Sequence, residues 1–487
     1  MKNLKKINEN SNLIQDKIIN DEIIKNFIMD KSLRKYLGWI DLPENITKIS
    51  EKFIRVKNKI VDEKIENIIF IGMGGSIESA KTLLGFSEYN HKIKIFCLDT
   101  IKVADIKKIQ LKIIIKNSLF IFCSKSGETV ETKALEEFFI KNLFVKTKNI
   151  IKISDIDPKN DNKYFMHIKS ANNIGGRYSS LSEYGILPAY LARYNIDDLK
   201  KHAITMKQKC LKNDFSNPAI ELAAFLMSCY KNKLNIINII SSKKTKNFSL
   251  WLEQLLSESL GKKNEGFLPI VNENNKLDNT RLSNRIFLLI EPDKKTQAYG
   301  KKLLANNIPM KIINFPKNPN CISGEFFKWQ MAVSIMGKLM NVNPFDQPNV
   351  QKSKDLTQKY LIKKNNVESQ YDDFSLLKID STINYVVILN YSDNSQKSHN
   401  LIKNIQKIIY SEHQKSCIVF EAPRYLHSIG QFFKSGIKNV AYIFIENNYI
   451  VDENSKYYEL SKILDAQALS EYDIMKKIAK RVLRLRV

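Results

Sequence analysis

At 487 residues the chain is long enough for roughly two to four domains, each able to bury a core of its own. Its 43% hydrophobic and 26% charged residues describe a soluble globular protein and exclude a disordered or fibrous one. The net charge of +26 invites a polyanion, but the excess is lysine spread along the chain, without an arginine-rich helix or aromatic–basic alternation. The expected partner is therefore a small anionic molecule and not nucleic acid.

No run of about 18 apolar residues is present, so no membrane partner is expected. The charged start Met1-Lys-Asn-Leu-Lys-Lys6 has no apolar core behind it and does not read as a signal peptide. Cys97, Cys123, Cys210, Cys229, Cys321 and Cys417 are scattered, with no C-x-x-C pair. That usage fits a reducing, cytoplasmic compartment with neither a disulfide framework nor a metal site.

In chain order, the first 45 residues read as a helical, polar-rich lead-in. Short β-rich runs then alternate with longer helical ones: Ile68–Ile71, Ile93–Leu98, Leu119–Cys123 and Ile150–Ser154. A second set follows the polar segment Lys212–Pro218, with strands expected at Ile236–Ile240, Ile286–Ile290 and Lys311–Phe315. A third follows the Asn- and Asp-rich stretch near Asn365–Asp373, with strands at Tyr385–Leu389, Cys417–Phe420 and Ala441–Ile445. The alternation predicts three α/β units with parallel sheets and helices on both faces.

Five motifs carry chemistry. Gly72-Met-Gly-Gly-Ser76 follows the first strand, but Ile77 stands where a dinucleotide fingerprint requires a third glycine, so nicotinamide binding is excluded. Gly74, Gly75 and Ser76 still permit a ligand to approach the backbone; a tight turn alone would also use two glycines. Ser124-Lys-Ser-Gly-Glu-Thr-Val-Glu-Thr132 lies between the strand Leu119–Cys123 and a helix expected over Thr129–Leu143. Its hydroxyls Ser124, Ser126 and Thr129, with Lys125 and backbone N–H groups at a helix N-terminus, suit a phosphate held without metal. An ordinary N-cap needs only one of those hydroxyls.

Gly175-Gly-Arg-Tyr-Ser179 allows a tight backbone that aims the Arg177 guanidinium at an anion. In Trp251–Lys262, Leu252, Leu255 and Leu256 form a core stripe, Gly261 reads as the helix stop, and Gln254 and Glu258, four apart, share another face. Asn343-Pro-Phe-Asp-Gln347 leads into a helix whose first turns hold Lys352 and Lys354, cations placed against the helix dipole. A solvated glutamate and surface lysines would satisfy these last patterns equally well.

Taken together in this order, the five motifs resemble those of the glucose-6-phosphate isomerase family. Gly72–Ser76 is similar to its Gly-Ile-Gly-Gly-Ser turn, and Ser124–Thr132 to its Ser-Lys-Thr-x-x-Thr-x-Glu-Thr phosphate loop. Gly175–Ser179 resembles Gly-Gly-Arg-Phe-Ser, Gln254–Lys262 resembles Gln-x-x-x-Glu-Ser-x-Gly-Lys, and Asn343–Gln347 resembles Asn-x-Phe-Asp-Gln. The third unit, with Pro423-Arg-Tyr-Leu-His-Ser-Ile-Gly-Gln431, resembles the C-terminal region of the isomerase half of bacterial transaldolase–isomerase fusions.

The resemblance implies an α/β fold of two sugar-isomerase (SIS)-type three-layer αβα domains, at 46–205 and 206–370, behind the 1–45 lead-in. A smaller C-terminal α/β domain would occupy 371–487. It implies interconversion of glucose 6-phosphate and fructose 6-phosphate through a cis-enediol, without cofactor or metal. Glu258 would be the base, Arg177 the oxyanion partner, and Gln254 a substrate ligand beside Gly74, Gly75 and Ser76. Ser124, Lys125, Ser126 and Thr129 would grip the phosphate. Lys354, seven residues past Gln347, matches the family's essential lysine.

Two departures stand out: no histidine occurs between Glu258 and Lys354, and Gln330 replaces a glutamate usual in the family. His427 is therefore the candidate for opening the sugar ring. Family enzymes are dimers that share that histidine between subunits, whereas a His427 from the third unit leaves a monomer open as well. Mannose 6-phosphate as an added substrate also remains open. A non-catalytic sugar-phosphate regulator would have no reason to keep Glu258, Arg177 and Lys354 together.

Overall fold

The computed structural model describes residues 2–87, 93–158, 163–273, 282, 284–362, 371–437, 439–447 and 451–487. Of the divide expected near Asn365–Asp373, only residues 371–373 lie within these.

All strand pairing in the three sheets is parallel. The first sheet holds β1 (Asn67–Gly72), β2 (Lys94–Leu98), β3 (Ser118–Cys123), β4 (Ile150–Ser154) and β5 (Met166–Lys169), in the order β2-β1-β3-β4-β5. The second holds β6 (Ile236–Ser241), β7 (Leu268–Val271), β8 (Arg285–Ile290) and β9 (Met310–Ile313), in the order β7-β6-β8-β9. The third holds β10 (Tyr385–Asn390), β11 (Ser416–Glu421), β12 (Val440–Glu446) and β13 (Arg481–Arg486), in the order β11-β10-β12-β13. In each, the first strand lies between the second and third. The chain thus reverses its direction of travel beside that strand, and a crevice opens at the strands' carboxyl ends.

The central strands are apolar on both faces, as sheets covered by helices on both sides require. Alternation then assigns each side chain to one core. Ile68 and Phe70 of β1 join a core shared with the second sheet, while Ile69 and Ile71 face one shared with the third. Likewise Val387 and Leu389 of β10 enter the core shared with the first sheet, and Val386 and Ile388 the core on the sheet's other side. The third unit is therefore docked through a continuous apolar core, and its position relative to the first sheet is fixed by packing.

Five helices position the site: α1 (Gly75–Phe86), α2 (Val130–Lys141), α3 (Lys246–Leu260), α4 (Val350–Ile362) and α5 (Tyr458–Ile478). α3 begins five residues before the expected segment and ends before Gly261, whose φ of −77° is ordinary. What demands glycine there is space, since a Cβ would lie 2.7 Å from Phe432 Cα. Among the described residues no helix is long and apolar enough to cross a membrane.

The units meet at the start of α1. Gly74 adopts φ +55°, and a Cβ on it would lie 2.7 Å from the His427 carbonyl oxygen; one on Gly75 would lie 2.2 Å from the Gly176 carbonyl carbon. Neither neighbour is a flexible side-chain tip that could swing aside. Gly75→Ala is expected to lower stability by about 1–3 kcal/mol or more, measured by chemical unfolding.

Candidate active site

One cavity of about 380 Å³ collects all twelve candidate site residues except Ser124. Gly74, Gly75 and Ser76 enter it from the crevice after β1, and Lys125, Ser126 and Thr129 from the turn after β3. These are neighbouring strands at the reversal point of the first sheet, where α/β folds place ligands. Thr129 occupies the N-cap position of α2, yet its side chain makes no capping bond. Its Oγ1 instead accepts from Ser124 Oγ at 3.0 Å. Ser124 itself is 7% exposed and is not among the cavity-lining residues; its hydroxyl supports Thr129. Lys125 is ion-paired with Asp155 at the cavity edge.

The opposite wall is α3, whose cavity face holds Gln254 and Glu258, as their spacing requires. Gln254 Nε2 donates to Glu258 Oε2 at 2.9 Å and to the His427 carbonyl at 2.8 Å. Gln254 Oε1 is buried without a hydrogen-bond partner among the described residues. Arg177 is 1% exposed. Its Nε donates to Ser259 Oγ at 2.7 Å, and its Nη2 to the carbonyls of Pro344 (2.7 Å) and Asp346 (3.0 Å). Nη1 stands 3.3 Å from Glu258 Oε1 and has no hydrogen-bond partner among the described residues, which leaves one aimed donor beside the carboxylate. Gln330, 1% exposed, donates to the Arg177 carbonyl at 3.4 Å and so supports the arginine from behind.

Lys262 grips the same turn as Arg177, reaching the Asn343 carbonyl and, at 2.7 Å, Asp346 Oδ1. Burial and the neighbouring Arg177 charge push its ammonium down to about 8. Two cations thus hold the Asn343–Asp346 turn that leads into α4, from which Lys354 faces the cavity.

His427 comes from the third unit, on the turn Arg424–His427 beyond β11. Its Nε2 lies 2.8 Å from Glu131 Oε1, and Gln467 of α5 donates to the same oxygen at 2.6 Å. Burial works against a charged ring, but Glu131, its hydrogen bond and Glu258 outweigh burial and the opposing Lys354, raising His427 above its ordinary 6.5. For Glu131, burial likewise opposes ionisation, yet His427 and the hydrogen bonds bring it down to about 2.

Glu131 and Gln467, with Lys434 and Ser353, are cavity residues that sequence reasoning left without a role. Lys434 donates to Ser353 Oγ at 2.9 Å and to Glu471 at 2.8 Å. Glu131 lay inside the phosphate-loop motif, in the first turn of α2, and that placement was the available signal. Gln467 carried none. Among the described residues no group of three or more His, Cys, Asp or Glu is arranged to hold a metal.

Residues 42–275 match the phosphoglucose isomerase family model. The chain is 28% identical over 405 residues to a probable glucose-6-phosphate isomerase of Methanococcus maripaludis, an alignment covering 72% of this chain and 89% of that protein. It is 26% identical over 394 residues to the glucose-6-phosphate isomerase of Campylobacter jejuni, covering 69% and 92%. Among solved structures, a hypothetical protein from Thermus thermophilus superposes with a TM-score of 0.62 at 20% identity, over 73% of this chain and 96% of that one. A glucose-6-phosphate isomerase from Chlamydia trachomatis superposes at 0.59 and 16% identity, over 72% and 85%. These likenesses establish the fold. The family match ends before Lys354 and His427.

The Glu131–His427 pair has a definite pH window. Glu131, lowered from 4.5 to about 2, contributes stability that is present above 4.5 and is lost as pH falls towards 2. His427, raised from 6.5, contributes stability that is present below 6.5 and is lost as pH rises through its folded value. Glu131→Gln is expected to destabilise most between these limits, with a smaller difference at higher pH, measured by denaturant unfolding across pH.

Proposed function

We propose that this chain is a glucose-6-phosphate isomerase, interconverting glucose 6-phosphate and fructose 6-phosphate in the cytoplasm as a step of glycolysis and gluconeogenesis. The family match and the relatives' names support this activity. One observation carries it to the residues: the Glu258 carboxylate, beside an unspent Arg177 donor, shares a single cavity with the N-terminal turn of α2.

In this reading the phosphate docks at Lys125, Ser126 and Thr129, in the positive field of the α2 N-terminus. Ser124 acts through Thr129, and Ser76 lines the approach. His427, whose protonated form Glu131 favours, gives its proton to the ring oxygen as the anomeric C–O bond opens. Lys354 relays the proton released by the anomeric hydroxyl back to His427, which restores the acid. Glu258 then takes the C2 proton of the open aldose, and the C–H electron pair forms the C1=C2 double bond. Negative charge develops on O1, where Arg177 Nη1 stabilises it without any reorganisation. Gln254 keeps Glu258 in place and offers Oε1 to a sugar hydroxyl. Glu258 returns the proton to C1 while O2 becomes the carbonyl and its hydroxyl proton passes to O1. The two electrons move within the substrate, so the step needs no external redox partner. The domains at 46–205 and 206–370 supply phosphate site, arginine, base and lysine, and 371–487 supplies the histidine from the same chain.

Glu258→Gln is expected to lose C2–H exchange in deuterated water by about 10²–10⁴-fold while still binding fructose 6-phosphate; retained exchange would remove Glu258 from its role. His427→Ala should slow cyclic substrate far more than an open-chain analogue, measured by comparing the two turnover numbers.

A further inference from the structure

The geometry points to Arg424 as the positioning residue that sets His427 against Glu131, a role that rests on the ring-opening assignment of His427. Arg424 opens the turn whose last residue is His427. Its guanidinium engages two units at once. Nε donates to Glu78 Oε1 of α1 at 2.8 Å, Nη1 to Glu253 Oε1 of α3 at 2.9 Å, and Nη2 to the Leu250 carbonyl at 3.3 Å. Both carboxylates are buried, Glu78 at 1% and Glu253 at 3% exposure.

Three planar donors anchored on two helices fix orientation as well as position, which a single ammonium cannot do. Glu253 directly precedes Gln254, so the helix that presents the base also holds the turn that presents the histidine. The far side of His427 is pinned as well. Ser428 Oγ donates to Glu253 Oε1 at 3.2 Å, and Ser257 Oγ donates to the Ser428 carbonyl at 3.4 Å. Neither Arg424, Glu78 nor Glu253 lines the cavity, so none of them touches substrate.

Stability alone gives little reason for this network. Burying Arg424 between two carboxylates carries a desolvation cost that well-packed apolar residues would avoid. What apolar packing lacks is a fixed angle. An angle is what His427 needs, because its Nε2 must meet Glu131 while Glu258 and Lys354 line the same cavity. Lys81, bonded to Asp99 at 2.6 Å and 3.4 Å from Glu78, adds a second cation beside Glu78.

The test uses the full chain with Glu253→Gln, which keeps shape and leaves Arg424 paired to Glu78, alongside Arg424→Lys. Both are expected to reduce turnover of cyclic fructose 6-phosphate by about tenfold or more. Solvent-deuterium exchange into 5-deoxyfructose 6-phosphate, which cannot close its ring, should change by less than about twofold, in line with a proton-transfer step left intact. The His427 imidazole, followed by NMR, should titrate at lower pH than in the unmodified protein as its contact with Glu131 loosens. Equal losses on both substrates, or an unmoved His427 titration in folded Glu253→Gln, would overturn the assignment. His427→Ala separates this from the underlying reading: undiminished cyclic turnover there would remove the ring-opening role, while the NMR titration would still decide what Arg424 positions.

Discussion

A guanidinium and a carboxylate 3.3 Å apart, both almost wholly buried, form the constraint around which the site is built. Removing two charges from water is expensive, and mutual attraction alone repays it poorly. Arg177 is tolerated because its other donors meet acceptors on rigid elements: Ser259 of α3 and the two carbonyls of the turn before α4. Those bonds leave the guanidinium no freedom. The donor without a hydrogen-bond partner among the described residues, Nη1, is therefore held beside Glu258 and does not have to swing there. Glu258 sits in the last turn of α3, where the helix dipole disfavours a carboxylate, and Arg177 is the cation that answers it. The same arginine ties α3 to the Asn343–Asp346 turn, so Glu258, Arg177 and the approach to Lys354 move as one body.

How far the sequence reveals this depends on how each residue earns its place. Central strands such as Ile68–Ile71 and Tyr385–Leu389 are covered on both faces, so they appear as unbroken apolar runs. The three strands that went unread, β5, β7 and β13, are all sheet edges. β5 alternates polar residues, β7 contains Pro269, and β13 carries Arg481, Arg484 and Arg486. An edge has a ladder on one side only and tolerates both proline and charge, which is why the apolar signal fades there. Gln254 and Glu258 were legible because helical spacing fixes their shared face. Glu131 was not, because its partner lies 296 residues away and only the folded chain brings them together. Ser124 shows the reverse case: a hydroxyl in the motif that donates to its neighbour Thr129 and does not line the cavity.

His427 reaches the cavity from the third unit, so its position depends on how that unit is placed. The cavity has no candidate acid from the segment between Glu258 and Lys354, since that segment holds no histidine. The third unit brings His427 from its own carboxyl-end turn, after β11. For that to work, the third unit must be placed to within a fraction of a hydrogen-bond length relative to α2 and α3. An apolar core shared with the first sheet holds the unit as a body, but dispersion contacts are individually weak and have no preferred direction. Directional bonds set the final register. The His427 carbonyl accepts from Gln254, Gln431 bridges the Gly261 carbonyl and the Asn349 amide, and Lys434 reaches Ser353 beside Lys354.

That arrangement also explains the glycines. The turn bearing His427 and the turn bearing Arg177 both lie against the start of α1, leaving no volume for a Cβ at Gly74 or Gly75. A motif that reads as room for a ligand is, in the folded chain, first of all room for two other backbones. Ligand access follows from it: with both turns drawn in, Ser76 and the α1 N-terminus form the cavity floor, and the α2 N-terminus stands beside them at the sheet's reversal point. Two helix N-termini then face one volume, a setting that favours an anion over any neutral group of the same size.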